Sequence, residues 1–412
     1  MRETYADRRE RLYGPLRESG TFTWDRMYGE EYALASLLLI TDSFRQELKL
    51  ATALLGRIFA KMVPVLQQAE DDLLMELGIP AAALQAVRTV VTPETPTVVG
   101  RFDFAATRQG LKMLEFNSDT PTGIVESFAV NEHVCRFFGV RNPNAGMAPQ
   151  IGRAFQQIVR SYRERGYQAE RICFSALDWH EEDRGTTLYL MKQSGLPSRF
   201  APLDRLRVQG DQLYIQEEDG LVPVDLLYRL HALEKLAEEK DEDGYPTGAH
   251  VLQLIADKRL AVINPPSAFL TQTKALQALI WSLCEAGEFF AADERDIIKT
   301  YMLPTYFENR FRGAVDYVTK PIFGREGGGV TLFDASGQPL DRDGEELYWD
   351  QPMIFQQRVE LPVASVETAK GMYDGRLLWG SFLIGGEASA ILARAGGPIT
   401  NNLSYYVPAG IQ

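Results

Sequence analysis

Residues 101–123 read RFDFAATRQGLKMLEFNSDTPTG. Side chains alternate faces along a strand, so Arg101 and Asp103 point one way and Phe102 and Phe104 the other. On the second run Glu115 and Asn117 share one face, and Leu114 and Phe116 the other. A turn about residue 109, with Gly110 supplying the special dihedral, makes the two runs an antiparallel hairpin. That register sets Asp103 opposite Glu115, Arg101 opposite Asn117, Phe102 opposite Phe116 and Phe104 opposite Leu114. One face is then an apolar cross-strand ladder. The other gathers two carboxylates, an amide and a guanidinium. Facing carboxylates repel unless a cation or a proton lies between them. Two carboxylates and an amide oxygen form a hard donor set that suits Mg²⁺, with phosphate and water oxygens completing the shell. Arg101 is placed to hold an anionic group bidentately. A surface hairpin with solvated charges has the same alternation.

Outward from the hairpin, apolar spacing predicts a long helical region over 30–68 and a second helix over 79–91, started by Pro80. Strands are expected at Val98–Phe104 and Lys112–Asn117. A helix over 147–165, a buried-type strand at Arg171–Leu177 and a helix over 183–194 suggest an open α/β layer. Residues 210–229 carry strand and turn signals, Lys235–Asp243 is a solvated charge run, and 250–302 is largely helical. From Asp316 onward the pattern is β. There is no internal repeat. The expected class is mixed α/β (α+β), with joints near 147, 240 and 305.

Tyr317-Val-Thr-Lys320-Pro-Ile-Phe-Gly324-Arg-Glu-Gly327-Gly328-Gly329 is followed by a second short strand. Consecutive glycines let backbone N–H groups cradle phosphate oxygens; a glycine hairpin is also an ordinary flexible turn. The GxxxxGK[ST] order and the GxGxxG fingerprint are both absent. Lys320, on the strand before this loop, and Lys274, on a helix, are candidate phosphate lysines. Gln356 and Gln357 end an apolar strand, where amides can read an adenine edge or simply face solvent. Arg394 precedes a glycine turn and the segment Ile399-Thr-Asn-Asn402.

The chain has 412 residues, 45 % hydrophobic and 24 % charged, with a net charge of −13. That length calls for two or three lobes. The acidic balance opposes non-specific binding to nucleic acid. Cys135, Cys173 and Cys284 have no metal or disulfide spacing, which suits a reducing, cytoplasmic setting. They are expected in the core, as are Leu279 and Trp281. His133, His180, His231 and His250 are scattered and expected to be structural or exposed. No apolar run spans a bilayer, and the first residues carry no apolar targeting stretch.

Taken in order, RFDFAATRQGLKMLEFNSDTPTG, YVTKPIFGREGGG, MIFQQRVELP and ITNN with Arg394 upstream resemble the synthetase region of the glutathionylspermidine synthase family. The resemblance covers nearly the whole chain, and it implies an ATP-grasp fold preceded by an α/β layer of the preATP-grasp kind. Residues 1–146 would then hold the N-terminal helices and the metal- and substrate-binding hairpin, 147–240 a substrate-side layer, and 241–412 the nucleotide-binding region. It implies ATP and Mg²⁺ as cofactors, with Asp103, Glu115 and Asn117 as metal ligands and Arg101 and Arg394 on the transferring phosphoryl group. Lys274, Lys320, Gly327, Gly328, Gly329, Gln356 and Gln357 would contact nucleotide. Ser118, Asp119 and Glu234 would contact substrate. The implied reaction joins a peptide acid resembling glutathione to a polyamine resembling spermidine through an acyl phosphate. The alternatives are an ATP-binding protein of this fold without ligase activity, and a kinase that stops at the phosphorylated acid. Expected partners are small molecules, with room for a homodimer and none for nucleic acid or a membrane. Two departures stand out. No stretch matches the amidase domain of some members, and Ala395 and Gly396 follow Arg394 where the family commonly has an acidic pair.

Overall fold

The computed structural model describes residues 3–412 except 93, 326, 345–347 and 402. Glu326 of the glycine loop and Asn402 of the ITNN segment thus lie outside the described residues. The hairpin is present as strands Val99–Thr107 and Gly110–Asn117, and Gly110 holds a φ of +98°. Arg101 faces Asn117, Phe102 faces Phe116 and Asp103 faces Glu115. Beyond Asp103 the register shifts, so Phe104 faces Met113 rather than the expected Leu114. A bulge of this kind leaves one residue unpaired and re-aims it. Leu114 accordingly lines the central cleft, and its carbonyl accepts a hydrogen bond from Lys320 Nζ at 3.1 Å.

The hairpin is the edge of an antiparallel sheet. Its strand order runs Tyr405–Val407, Glu387–Gly396, Gly371–Ile384, Val99–Thr107, Gly110–Asn117, and Val363–Thr368 pairs along Gly371–Ile384. Segments 1–146 and 241–412 therefore meet in one sheet. A five-stranded antiparallel sheet carries the glycine hairpin, with Tyr317–Pro321 between Met353–Gln357 and Thr331–Phe333. A four-stranded parallel sheet, Ala261–Ile263, Leu226–Arg229, Ile172–Ser175 and Ser198–Phe200, carries helices Pro149–Glu164 and Glu181–Ser194. This mixed α/β architecture is the class the sequence pattern suggests.

The apolar ladder packs on helix Asp42–Gln67, whose first turn is capped by Thr41 Oγ1 accepting from Phe44 N–H at 3.2 Å. Phe102 and Phe116 stack at 3.8 Å between centroids, and Phe59 of the helix meets both edge-on, at 5.6 and 5.0 Å. By length and composition this helix is apolar enough to cross a membrane, but half of its apolar window is buried against the protein.

Two helical expectations fail. Residues 30–41 are not helical: they include strands Glu30–Glu31 and Leu38–Ile40, the latter pairing with Ala409–Ile411. The capping Thr41 starts the helix only there, and the apolar run before it is mostly buried, extended chain. Residues 79–91 hold only a 3₁₀ turn, Ala81–Ala83, and one α turn, Leu84–Val87. The β-branched Val87, Thr89, Val90 and Val91 oppose continuation, and Arg88 donates instead to the carbonyls of Gln67 and Ala69.

Phe102→Ala should cost about 3–5 kcal/mol of stability, read as a lowered urea midpoint. A loss below about 1 kcal/mol would show that the stacked ladder does not anchor the hairpin.

Candidate active site

The two sheets and the parallel layer enclose a cleft of about 620 Å³. Asp103, fully buried, lies at its floor. Arg101, two residues earlier on the same face, grips it with Nε to Oδ1 at 2.7 Å and Nη2 to Oδ2 at 3.0 Å. Arg394 reaches the same Oδ2 at 3.0 Å from two strands away. The residue between them is Gly380, opposite both Asp103 and Leu392. A Cβ there would stand 2.9 Å from Arg101 Cδ, so glycine is what lets the guanidinium lie across the sheet.

Glu115 faces Asp103 across the hairpin. Its Oε2 pairs with Lys274 Nζ at 3.2 Å, and its Oε1 accepts from Asn117 Nδ2 at 3.1 Å. Lys274 opens helix Lys274–Ala286 behind the capping Thr273 and also donates to the Gly324 carbonyl at 2.6 Å. Lys320 donates to Gln356 Oε1 at 2.7 Å besides the Leu114 carbonyl. Burial alone would raise the Glu115 carboxyl; Lys274 and Lys320, with the Asn117 hydrogen bond and Arg101, hold it well below the usual carboxylate range. Burial, seconded by Lys274, brings the Lys320 ammonium down to about 8 against the opposing pull of Glu115 and Asp103.

Most expected site residues meet here. Arg101, Asp103, Glu115, Asn117, Lys274, Lys320, Gly327, Gly328, Gln356, Gln357 and Arg394 all line the cleft. Gly327, with a φ of +77°, has no room for a side chain: a Cβ would lie 2.5 Å from the Thr400 carbonyl oxygen. The Gln356 amide is fully engaged, donating to Gln277 and Thr305 and accepting from Lys320, so it positions the lysine rather than presenting a free edge. Gly329 is not among the lining residues; its N–H donates to Asp343 at 3.1 Å. Ser118, Asp119 and Glu234 are also not brought to the lining. Ser118 Oγ donates to the Ala268 carbonyl, and Asp119 forms a buried bidentate pair with Arg229 at 2.7 and 3.1 Å. Glu234 accepts from Arg325 of the glycine loop at 2.9 Å, while Arg325 also donates to Thr120 at 2.9 Å. The three cysteines are buried, and Trp281 is packed in the core, as expected.

Several residues carry no local signal. Asn264 Oδ1 accepts from Val98 and Val99 N–H at 3.0 and 2.9 Å, and its Nδ2 donates to the carbonyls of Val99, Ser118 and Asp119. Gln272 Oε1 accepts from Ser118 and Asp119 N–H at 2.8 and 3.0 Å. Together they fix both ends of the hairpin. His180, expected to be structural or exposed, caps helix Glu181–Ser194 and also lines the cleft with Glu182 and Asp183. Burial, with Glu126 and Asp183 nearby, pushes the Glu182 carboxyl up to about 8, against a Thr122 hydrogen bond and His180. Acidic residues at a helix start are ordinary partners of the helix dipole, so nothing in the sequence sets Glu182 apart.

At the hairpin the cleft thus brings Arg101, Arg394, Lys274 and Lys320 onto the carboxylates of Asp103 and Glu115, beside the Asn117 amide. Among the described residues no group of three or more His, Cys, Asp or Glu is placed to hold a metal. Asp103 and Glu115 offer a partial hard-oxygen set that suits Mg²⁺ when phosphate and water oxygens complete it; Asn117 turns its Nδ2 toward both carboxylates, and its amide adds an oxygen only on flipping. The cations are suited to the same phosphates.

The model of the family described as glutathionylspermidine synthase, preATP-grasp, matches residues 7–412. A Haemophilus influenzae protein, provisionally named an acid–amine ligase, is 26 % identical over 341 residues, covering 79 % of this chain and 77 % of that one. The glutathionylspermidine synthase of Crithidia fasciculata is 23 % identical over 332 residues, covering 74 % of this chain but 44 % of that protein.

The raised Glu182 carboxyl fixes a pH trend. Between its ordinary value and about 8 the folded state holds a proton that the unfolded state releases, so stability falls as pH rises through that window. Glu182→Gln should flatten this decline in thermal midpoints taken from pH 5 to 8.5; an unchanged slope would place the carboxyl in an ordinary environment.

Proposed function

Because the chain belongs to the glutathionylspermidine synthase preATP-grasp family, we propose that it is an ATP-dependent acid–amine ligase joining a glutathione-like peptide carboxylate to a spermidine-like polyamine. The observation that carries this reading is the convergence of Arg101, Arg394, Lys274 and Lys320 on Asp103 and Glu115 in one cleft.

The substrate carboxylate attacks the γ-phosphorus of ATP, the bond to the β–γ bridging oxygen breaks, and an acyl phosphate and ADP result. The amine nitrogen then attacks the acyl carbon, phosphate leaves, and the nitrogen gives up a proton as the amide forms. The protein's work in such transfers is positioning and charge neutralisation. Lys274 and Lys320 meet the nucleotide phosphates, and the Gly327–Gly328 backbone lies over them. Arg101 and Arg394 donate to the transferring phosphoryl oxygens, where preorganised donors act most strongly. Asp103, Glu115 and Asn117 would hold Mg²⁺, whose chemistry is to offset charge on the phosphate oxygens. In the structure Asp103 is held by Arg101 and Arg394, and Glu115 by Lys274. A polyphosphate entering the cleft offers those cations other partners and leaves the carboxylates to the metal.

The test is ADP release with MgATP across a matrix of peptide acids and polyamines, with mass spectrometry of the products. Amide and ADP appearing only when acid and amine are both present is the expected result. ADP with a stable phosphorylated acid and no need of amine would make the protein a kinase. MgATP binding without ADP for any pair would make it a nucleotide-binding protein. Within the ligase, Arg394→Ala should lower kcat by about 10³-fold or more while the fold persists. Asp103→Asn should weaken MgATP binding in calorimetry, and an unaltered affinity would remove Asp103 from the metal site.

A further inference from the structure

The cleft has a second end, chemically unlike the first. Its lining includes Tyr28, Tyr32, Trp179, His180, Glu182 and Asp183. Trp179 is 76 % exposed and Tyr28 68 % exposed. Core packing accounts for neither ring, and exposed apolar groups gathered at a cleft mark a binding surface. Tyr28 also holds a φ of +52° at the turn between strands Arg26–Met27 and Glu30–Glu31. With Gly29 at +79° the pair makes the two-residue turn that this tight hairpin requires, and the turn carries the Tyr28 ring to the cleft.

Two carboxyl groups, Glu182 and Asp183, line the cleft with Trp179 without a lysine or arginine partner among the described residues; Asp183 Oδ1 lies 3.2 Å from His180 Nδ1, and a bound ammonium would draw Glu182 into its ionised form. Asp103 and Glu115 at the inner end meet arginine and lysine. Among the described residues no lysine or arginine forms an ion pair with Glu182, and the charges that act on it most are those of Glu126, Asp183 and His180. Glu126 is fully buried: its Oε1 accepts from Trp24 Nε1 at 2.8 Å and Tyr32 OH at 3.1 Å, while its Oε2 has no partner. Arg394 is followed by Ala395 and Gly396, so that wall adds no carboxylate. Aromatic faces beside carboxyl groups without arginine or lysine partners are a combination that recognises an organic ammonium.

We propose that Trp179 and Tyr28 form an aromatic subsite that selects the amine substrate, taking the distal ammonium of an aliphatic polyamine against their rings while Glu182 and Asp183 face its charge. This rests on the ligase reading, and it makes the two rings the determinants of amine length and charge. A monoamine of similar length reaches the same acyl group but leaves the subsite without its cation.

The test uses the full chain and reads binding apart from turnover. Spermidine, putrescine and hexylamine are titrated calorimetrically into the wild type, Trp179→Ala and Trp179→Phe, with MgATP titrated as a reference. The expected result is spermidine affinity about tenfold weaker in Trp179→Ala, largely restored in Trp179→Phe, with MgATP affinity unmoved. Steady-state data should show the same rise in KM for the amine and none in KM for the acid. Equal losses for hexylamine and spermidine would reduce the subsite to apolar packing and overturn the proposal. So would an effect confined to KM for the acid, or no spermidine binding by the wild type. If spermidine binds through Trp179 but no amide forms, the subsite stands and the ligase reading fails. If amide forms and Trp179→Ala keeps the wild-type amine KM, the ligase stands and the subsite fails.

Discussion

Asp103 is a buried carboxylate held by two arginines, and the rest of the cleft is arranged around that constraint. An isolated carboxylate in the protein interior is strongly disfavoured. Here the cost is offset by charge-assisted hydrogen bonds to both oxygens. The second carboxylate, Glu115, is tolerated opposite it only because Lys274 and Lys320 supply compensating charge. A buried network of this kind is a weak source of stability, since well-packed apolar residues often do as well. Under the ligase reading it holds cations poised on carboxylates, which would exchange partners when a polyphosphate and a metal arrive together.

Such an exchange needs a frame that does not move with it. The hairpin's other face supplies one, through the Phe102–Phe116 stack locked by Phe59 of the long helix. Asn264 and Gln272 supply another. They hold the start of one strand and the residues just past the other by their backbone groups alone, leaving Arg101, Asp103 and Asn117 free to act toward the cleft. The Asp119–Arg229 pair ties the same segment to the parallel layer. Ser118 and Asp119, which the resemblance marks for substrate, are thus committed to carrying the strand of Glu115 and Asn117.

The polar face of the hairpin was legible because a period-two pattern is local: each residue's face follows from its neighbours. The bulge at Asp103 was not, because the slip that frees the Leu114 carbonyl depends on Met113 packing and on Lys320, some two hundred residues away. Gly380 reads as one glycine among many until Arg101 is seen crossing above it. Asn264 and Gln272 are ordinary polar residues in a helical stretch, and their hydrogen bonds span about 150 positions. The apolar run over 32–40 misled for the opposite reason: apolarity without a clear period fits buried extended chain as well as helix, and only the cap at Thr41 divides the two.

The cleft's two ends differ in a way that bears on the order of chemistry. At one end positive charge gathers around Asp103 and Glu115; at the other, Glu182 lines the cleft with the exposed Trp179 and without an arginine or lysine partner among the described residues. A polyanion and a polycation entering one cleft would pair with each other unless the walls sort them. In the proposed ligase the cations around Asp103 and Glu115 would draw the polyanion to one end, and a bound ammonium would ionise Glu182 at the other, which would sort the two. On the proposed mechanism the acid would meet both, its carboxylate phosphorylated at one end and its acyl carbon attacked from the other. Arg325 stands on the glycine loop, tied to Glu234 and Thr120 at the boundary with the parallel layer. Under the ligase reading, those two bonds tie the phosphate end of the cleft to the wall beside the parallel layer.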